Sequence, residues 1–295
     1  MLDFTPPSIA FSIGSINVYF YGLCYAIGLV LVYWVIAREA RHRGLDVDEL
    51  ANGLIVISIA ALAGGRLYHV IDQWALYADD PIRILLPPYT GLGAFGGMIT
   101  GIAVGLLYAR WRRQPVLAWA DAAAPGIFAM QFVARWGNFF NQELYGPPTT
   151  LPWGIAIECD KRVAELLCPP FGDYAFETTR FHPLFLYESL SGLLGLLALV
   201  WIGRRFAARL RRGDLLLIFL VWYSAVRFAL ETLRTDRWTI DGIPTAQLVA
   251  GTLIAGSLIL LAWRHRPGAP AESPLPARSP AAEVADRLHP PADTA

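Results

Sequence analysis

Apolar residues gather in seven long runs along this chain, at roughly 17–37, 51–73, 92–110, 117–136, 184–203, 215–233 and 246–263, with polar residues crowded between them. Each run approaches the roughly 20 residues, rising about 1.5 Å apiece, that a helix needs to cross a bilayer. The pattern predicts an all-α integral membrane protein with about seven transmembrane helices. The second, fourth and sixth runs contain polar residues that a plain anchor would avoid, and the fourth is the one expected to be partly re-entrant. Arginines close the odd-numbered runs: Arg38, Arg41 and Arg43 after the first, Arg110, Arg112 and Arg113 after the third, Arg204 to Arg212 after the fifth, Arg264 and Arg266 after the seventh. Positive residues favour the cytoplasmic face. The N-terminus, the segment 137–183 and the loop 234–245 are therefore expected outside, and the C-terminus in the cytoplasm. Segment 137–183 becomes a small extracytoplasmic head between helices four and five.

Composition strengthens this picture. Hydrophobic residues make up 55% of the chain and charged residues only 16%, against about 25% in soluble domains. Net charge is zero, so nothing draws the chain to nucleic acid. The start, "MLDFTPPSIAFSIG", has no basic region and no obvious small-residue cleavage site, so no removable signal peptide is expected. Residues 267–295 are Pro- and Ala-rich without apolar periodicity and read as a disordered cytoplasmic tail behind a membrane domain over 1–266. The head is punctuated by Pro-Pro and Pro-Trp-Gly, which predicts turns and short β pieces. It holds Cys159 and Cys168, either bridged or as two free thiols. With Cys24 they make neither a disulfide scaffold nor a metal site, and no cofactor is expected.

Charges at membrane depth cost about 2.5–3.5 kcal/mol each on insertion scales, so those that remain need a partner or a task. In "AGGRLYHV", Arg66 and His69 share a helical face, and Gly64 and Gly65 permit close helix packing. Arg66 is either paired for packing or part of an anion site. In "FVARWGNFFNQELYG", Arg135, Asn138, Asn141 and Glu143 offer a guanidinium fork, two amides and an acceptor. A planar guanidinium suits phosphate through two parallel hydrogen bonds, while helix-end capping with snorkelling is the plainer alternative. Glu143 cannot share the asparagines' face in a continuing helix, so a break is expected at Gly137 or Asn141.

In "YSAVRFALETLRTD", Tyr223, Arg227, Glu231 and Arg234 form one stripe. Arg227 and Glu231 either neutralise one another or, with Arg234, leave positive charge for an anion. In "FHPLFLYESL", His182, Tyr187 and Glu188 stand at the outer entrance of the fifth helix, as a site or as a capped helix start. Arg66, Arg135, Arg227 and Arg234 all fall at the outward ends of helices two, four and six, where a lipid phosphate would sit. The opposite halves read as almost free of internal charge, which disfavours a transport conduit.

These stretches, with "GLCYAIG" after "YFY", occur in an order and spacing that resembles bacterial prolipoprotein diacylglyceryl transferases over nearly all of 5–265. The R-x-G-N-F-x-N-x-E core is the specific part. The resemblance implies a multi-pass enzyme of the bacterial inner membrane that moves the diacylglyceryl group of phosphatidylglycerol onto the lipobox cysteine of a preprolipoprotein signal peptide. A thioether forms and glycerol 1-phosphate leaves. It implies site roles for Tyr21, Arg66, Arg135, Gly137, Asn138, Glu143, Tyr223, Arg227, Glu231 and Arg234, beside the candidates Asn141 and His182. One position departs: Phe95, in "GLGAFGGMITG", stands where the family commonly has the histidine of F-H-G-G. His69, Glu143, or a thiolate favoured by the arginines alone then remain as proton acceptors. A lipid-binding or transport protein, or a related transferase with another acceptor, are the competing readings.

Overall fold

The structure, a computed structural model, describes residues 5–14, 16–84, 91, 93–235 and 237–269. Most of the proposed tail lies outside the described residues. Seven α-helices are described: α1 (Phe20–His42), α2 (Val47–Asp72), α3 (Ala94–Trp111), α4 (Val116–Phe140), α5 (Leu184–Arg205), α6 (Asp214–Glu231) and α7 (Thr245–Arg264). Five of them, α1, α2, α4, α5 and α7, are long and apolar enough to cross a membrane. α6 carries Asp214, Arg227 and Glu231 within its 18 residues. Large apolar side chains such as Ile27, Leu29 and Val30 on α1, Leu194 and Leu197 on α5 and Val249 and Ile259 on α7 are exposed. Outward apolar faces on long helices are what lipid requires and water penalises. The chain is a multi-pass membrane protein.

The residues fall into two compact units. Of the described residues, one unit comprises those up to Glu39 and those from 120 to 269, the other Ala40–Trp119. In the first, α4, α5 and α6 pack around Ala124, Phe128, Leu199, Leu215 and Phe219. Gly195 lets the Phe128 ring seat against α5, because a Cβ there would lie 2.6 Å from its Cε2. In the second, α2 and α3 meet where Gly64 faces Thr100 and Gly96 faces the Gly64 carbonyl. Added Cβ atoms would lie 2.0 Å and 2.3 Å from those neighbours, so the close packing expected of Gly64 is observed. Asp46 caps α2 by accepting from the Asp48 amide at 2.9 Å.

Several expectations shift. α4 runs unbroken for 25 residues, through Pro125, rather than turning back. It stops at Phe140, so the break falls at Asn141 and not Gly137. Residues 17–19 leave the first predicted helix because β2 (Ile16–Tyr19) pairs antiparallel with β1 (Ile9–Ile13). A second short pair, β3 (Thr239–Ile240) and β4 (Ile243–Pro244), precedes α7. The head holds only isolated bridges, Pro148 and Ile155 to Phe181, around a core of Tyr145, Ile155, Ile157, Leu166, Phe181 and Phe185. Cys159 and Cys168 are joined in a disulfide. Arg162 is buried in the head, donating from Nε to the Ile157 carbonyl at 2.9 Å with its guanidinium over the Phe181 ring. Burial pushes its pKa below the ordinary arginine value.

The expectation of charge-poor ends opposite the head is corrected. Asp121, Asp214 and Glu39 are all buried there. Asp121 accepts from the Gly213 and Leu216 amides at 2.7 and 3.0 Å, Asp214 meets Arg264 at 3.2 Å, and Glu39 meets Arg204 at 2.6 Å. Each is tolerated because a helix start or a guanidinium satisfies it, which sequence spacing does not reveal.

Candidate functional site

The last turn of α4 builds the site. Gly137 is buried against the first turn of α1, where a Cβ would lie 3.0 Å from Tyr21 Cδ2 and 3.4 Å from its Cα. Any side chain there would push Tyr21 away. Beyond Phe140 the chain doubles back through Gln142 and Leu144, both at positive φ (57° and 55°). This return brings Glu143 onto the asparagines despite their spacing. Asn138 and Asn141 donate from Nδ2 to its two carboxylate oxygens, each at 3.2 Å. Tyr21 donates its hydroxyl to Tyr25 at 3.2 Å and lies within electrostatic reach of both Glu143 and Arg135. Tyr21, Asn141, Glu143 and Lys161 line one cleft of about 930 Å³, with Ser8 and Tyr19 of the N-terminal segment.

Arg135 sits one turn before Asn138. Its Nε lies 2.6 Å from Oε2 of Glu188, whose side chain is 6% exposed. α5 runs antiparallel to α4 here: Ser189 donates to the Phe132 carbonyl at 2.7 Å, and Gly192 and Gly195 face Phe128. Next to Glu188, Tyr187 accepts from Trp153 Nε1 at 2.9 Å and meets His182 Nδ1 at 3.1 Å. His182 is thus tied to the start of α5.

On α6, Arg227 Nη1 lies 2.6 Å from Oε2 of Glu231, which is nearly fully buried. Tyr223 stacks on Phe219, centroids 5.9 Å apart. Arg234 continues the turn, its amide donating to the Glu231 carbonyl at 3.2 Å. α4 and α6 run in the same direction. Asp121 bonds Gly213 and Leu216, and Phe128 lies 4.7 Å from Phe219. Arg135 and Arg227 both lie toward the C-terminal ends of these two helices.

Arg66 and His69 belong to the second unit. Arg66 donates to the carbonyls of Arg83 (2.9 Å), Ile84 (3.2 Å) and Gly91 (3.3 Å) and lies over the Tyr77 ring. It holds the connection between α2 and α3. His69 packs edge-on to Tyr77 and against Gly91, where φ is +86° and a Cβ would lie 2.1 Å from Nε2. Phe95 is 61% exposed.

Within the first unit, then, Tyr21, Arg135, Gly137, Asn138, Asn141 and Glu143 form one constellation, and Arg227 with Glu231 a second pair, toward the C-terminal end of α6. One partnership and one residue were missed. Glu188, named at the entrance of the fifth helix, belongs with Arg135. Lys161, at the cleft, is the chain's only lysine, which was the signal available.

A multi-pass helical protein with carboxylate-held arginines beside an amide- and tyrosine-lined cleft has the makings of a membrane enzyme for a lipid phosphate. The sequence profile described as prolipoprotein diacylglyceryl transferase matches residues 8–263, and the chain belongs to that family. It is similar to the phosphatidylglycerol–prolipoprotein diacylglyceryl transferase of Halalkalibacterium halodurans, 35% identical over 272 residues, 91% of this chain and 90% of the relative. The proteins of the same name from Synechococcus elongatus (35% over 266 residues, 89% of each chain) and Bifidobacterium longum (32% over 299 residues, 96% and 91%) match likewise.

Proposed function

We propose that this protein transfers the diacylglyceryl group of phosphatidylglycerol to the lipobox cysteine of preprolipoprotein signal peptides, in the bacterial inner membrane. All seven helices cross the bilayer. The N-terminus and the head 137–183 lie outside, and the tail after 266 lies in the cytoplasm, as the arginine distribution favours. The observation that carries this reading is Arg135, gripped by buried Glu188 beside the cleft of Tyr21, Asn141 and Glu143.

Arg135 and Arg227 take the headgroup phosphate. A guanidinium has five N–H donors, so one edge on a carboxylate leaves donors for the ligand. Glu188 and Glu231 fix the two guanidiniums, and Arg234 adds positive charge. Asn138 and Tyr21 orient the glycerol. Tyr223 and His182 bound the site. Glu143 accepts from two amides, which makes it an organiser of Asn138 and Asn141 more than a base. Arginines nearby lower the pKa of the acceptor thiol, and the acceptor of its proton is what the His69→Ala comparison below tests. The thiolate attacks the sn-3 carbon, the C–S bond forms as the C–O bond breaks, and glycerol 1-phosphate leaves with the electron pair, its charge held by the arginines.

The test is transfer from labelled phosphatidylglycerol to a lipobox peptide in vesicles. Wild type is expected to label the peptide cysteine. An unlabelled cysteine, with protein intact, would overturn the proposal. His69→Ala in the same assay decides the proton acceptor: a fall of about 100-fold supports His69, and an unchanged rate leaves the arginine field as the sole activator.

A further inference from the structure

Among the polar atoms sealed within the helices of the first unit without a hydrogen-bond partner among the described residues are Gln131 Oε1 and Ser224 Oγ. Gln131 precedes Arg135 by four residues and Ser224 precedes Arg227 by three, so each shares its arginine's helix face. At about 1.5 Å per residue, Gln131 lies about 6 Å and Ser224 about 4.5 Å further from the head along their helices than the arginines. Gln131 is only half-buried. Since its Oε1 is the sealed atom, its amide turns Nε2, a donor, toward the accessible side. Neighbouring Gly192 packs α5 closely on α4 here: a Cβ there would lie 3.4 Å from Gln131 Cβ and 3.1 Å from the Phe132 amide nitrogen.

In a glycerophospholipid the groups that follow the phosphate toward the acyl chains are the ester carbonyls, which only accept hydrogen bonds. We propose that Gln131 donates from Nε2 to an ester carbonyl of the diacylglyceryl donor and so sets the depth at which the reacting carbon meets the thiol. Gln131 is a specificity-determining residue on this assignment, which rests on the phospholipid reading above.

The test compares diacyl phosphatidylglycerol with its dialkyl ether analogue, which lacks carbonyls but keeps headgroup and chain length, as donors to a lipobox peptide. Wild type is expected to favour the ester lipid about tenfold in kcat/KM, the equivalent of one well-made hydrogen bond. In Gln131→Met, which keeps the side-chain shape, that ratio falls toward one. If Gln131→Met does not fold, Gln131→Asn, which draws the amide back by one carbon, is expected to lower the same ratio. A ratio of one in wild type, or an unchanged ratio in a folded variant, overturns the assignment. Transfer from neither lipid by wild type would instead refute the transferase reading.

Discussion

Arg135 shows how a costly buried charge is accommodated. Its guanidinium enters a helical interior only because Glu188, on the antiparallel neighbour α5, meets it at 2.6 Å. Glu188→Gln should therefore loosen the guanidinium without emptying the site. The expected result is a fall in transfer of about 10–100-fold, the scale of a displacement near 1 Å, with thermal unfolding measured alongside shifted far less than activity. Asn138→Ala should cost less, because Glu143 keeps Asn141, and a residual rate about tenfold below wild type is expected from the loss of one hydrogen bond of about 1.4 kcal/mol. Arg135, Asn138, Asn141 and Glu143 were legible in the sequence because they share one short stretch of unusual polarity. The bond from Asn138 to Glu143 was not, since it depends on the positive φ of Gln142 and Leu144. The partnership of Arg135 with Glu188 was hidden for another reason: it exists only once α4 and α5 pack.

At the scale of elements, the helices were the most readable feature, since a bilayer demands long apolar runs and little else satisfies that demand. The short strands were not readable. Ile16–Tyr19 continues directly into an apolar helix, and only its pairing with Ile9–Ile13 separates the two. Gly64 is a sequence signal whose meaning the structure makes quantitative. A Cβ there would stand 2.0 Å from Thr100 Oγ1, so Gly64→Leu should part α2 from α3. A loss of about 1–3 kcal/mol is expected from overpacking of this kind, read as a lower unfolding temperature in detergent. In the head, the Cys159–Cys168 bond closes a short loop that carries Lys161 and Arg162. Replacing both cysteines by serine should remove about 2–3 kcal/mol of chain-entropy stabilisation, seen as faster proteolysis within 141–183 with the helices intact.

For the whole molecule, family membership and the arrangement of the first unit point the same way. The family profile spans the helices from first to last, and the polar cluster it would need lies at the ends of α4 and α6 and the start of α5. Phe95 remains the departure from the family pattern, and its exposed ring takes no part in proton transfer. Binding of an anionic headgroup by guanidinium forks is the claim on which the chemistry depends, and replacing a fork by a point charge tests it with least disturbance. The decisive measurement is the rate of diacylglyceryl transfer to a lipobox peptide by purified Arg135→Lys in phosphatidylglycerol vesicles, beside wild type of equal thermal stability. A loss of at least 100-fold is expected, whereas a rate within a few-fold of wild type would contradict the phosphate clamp.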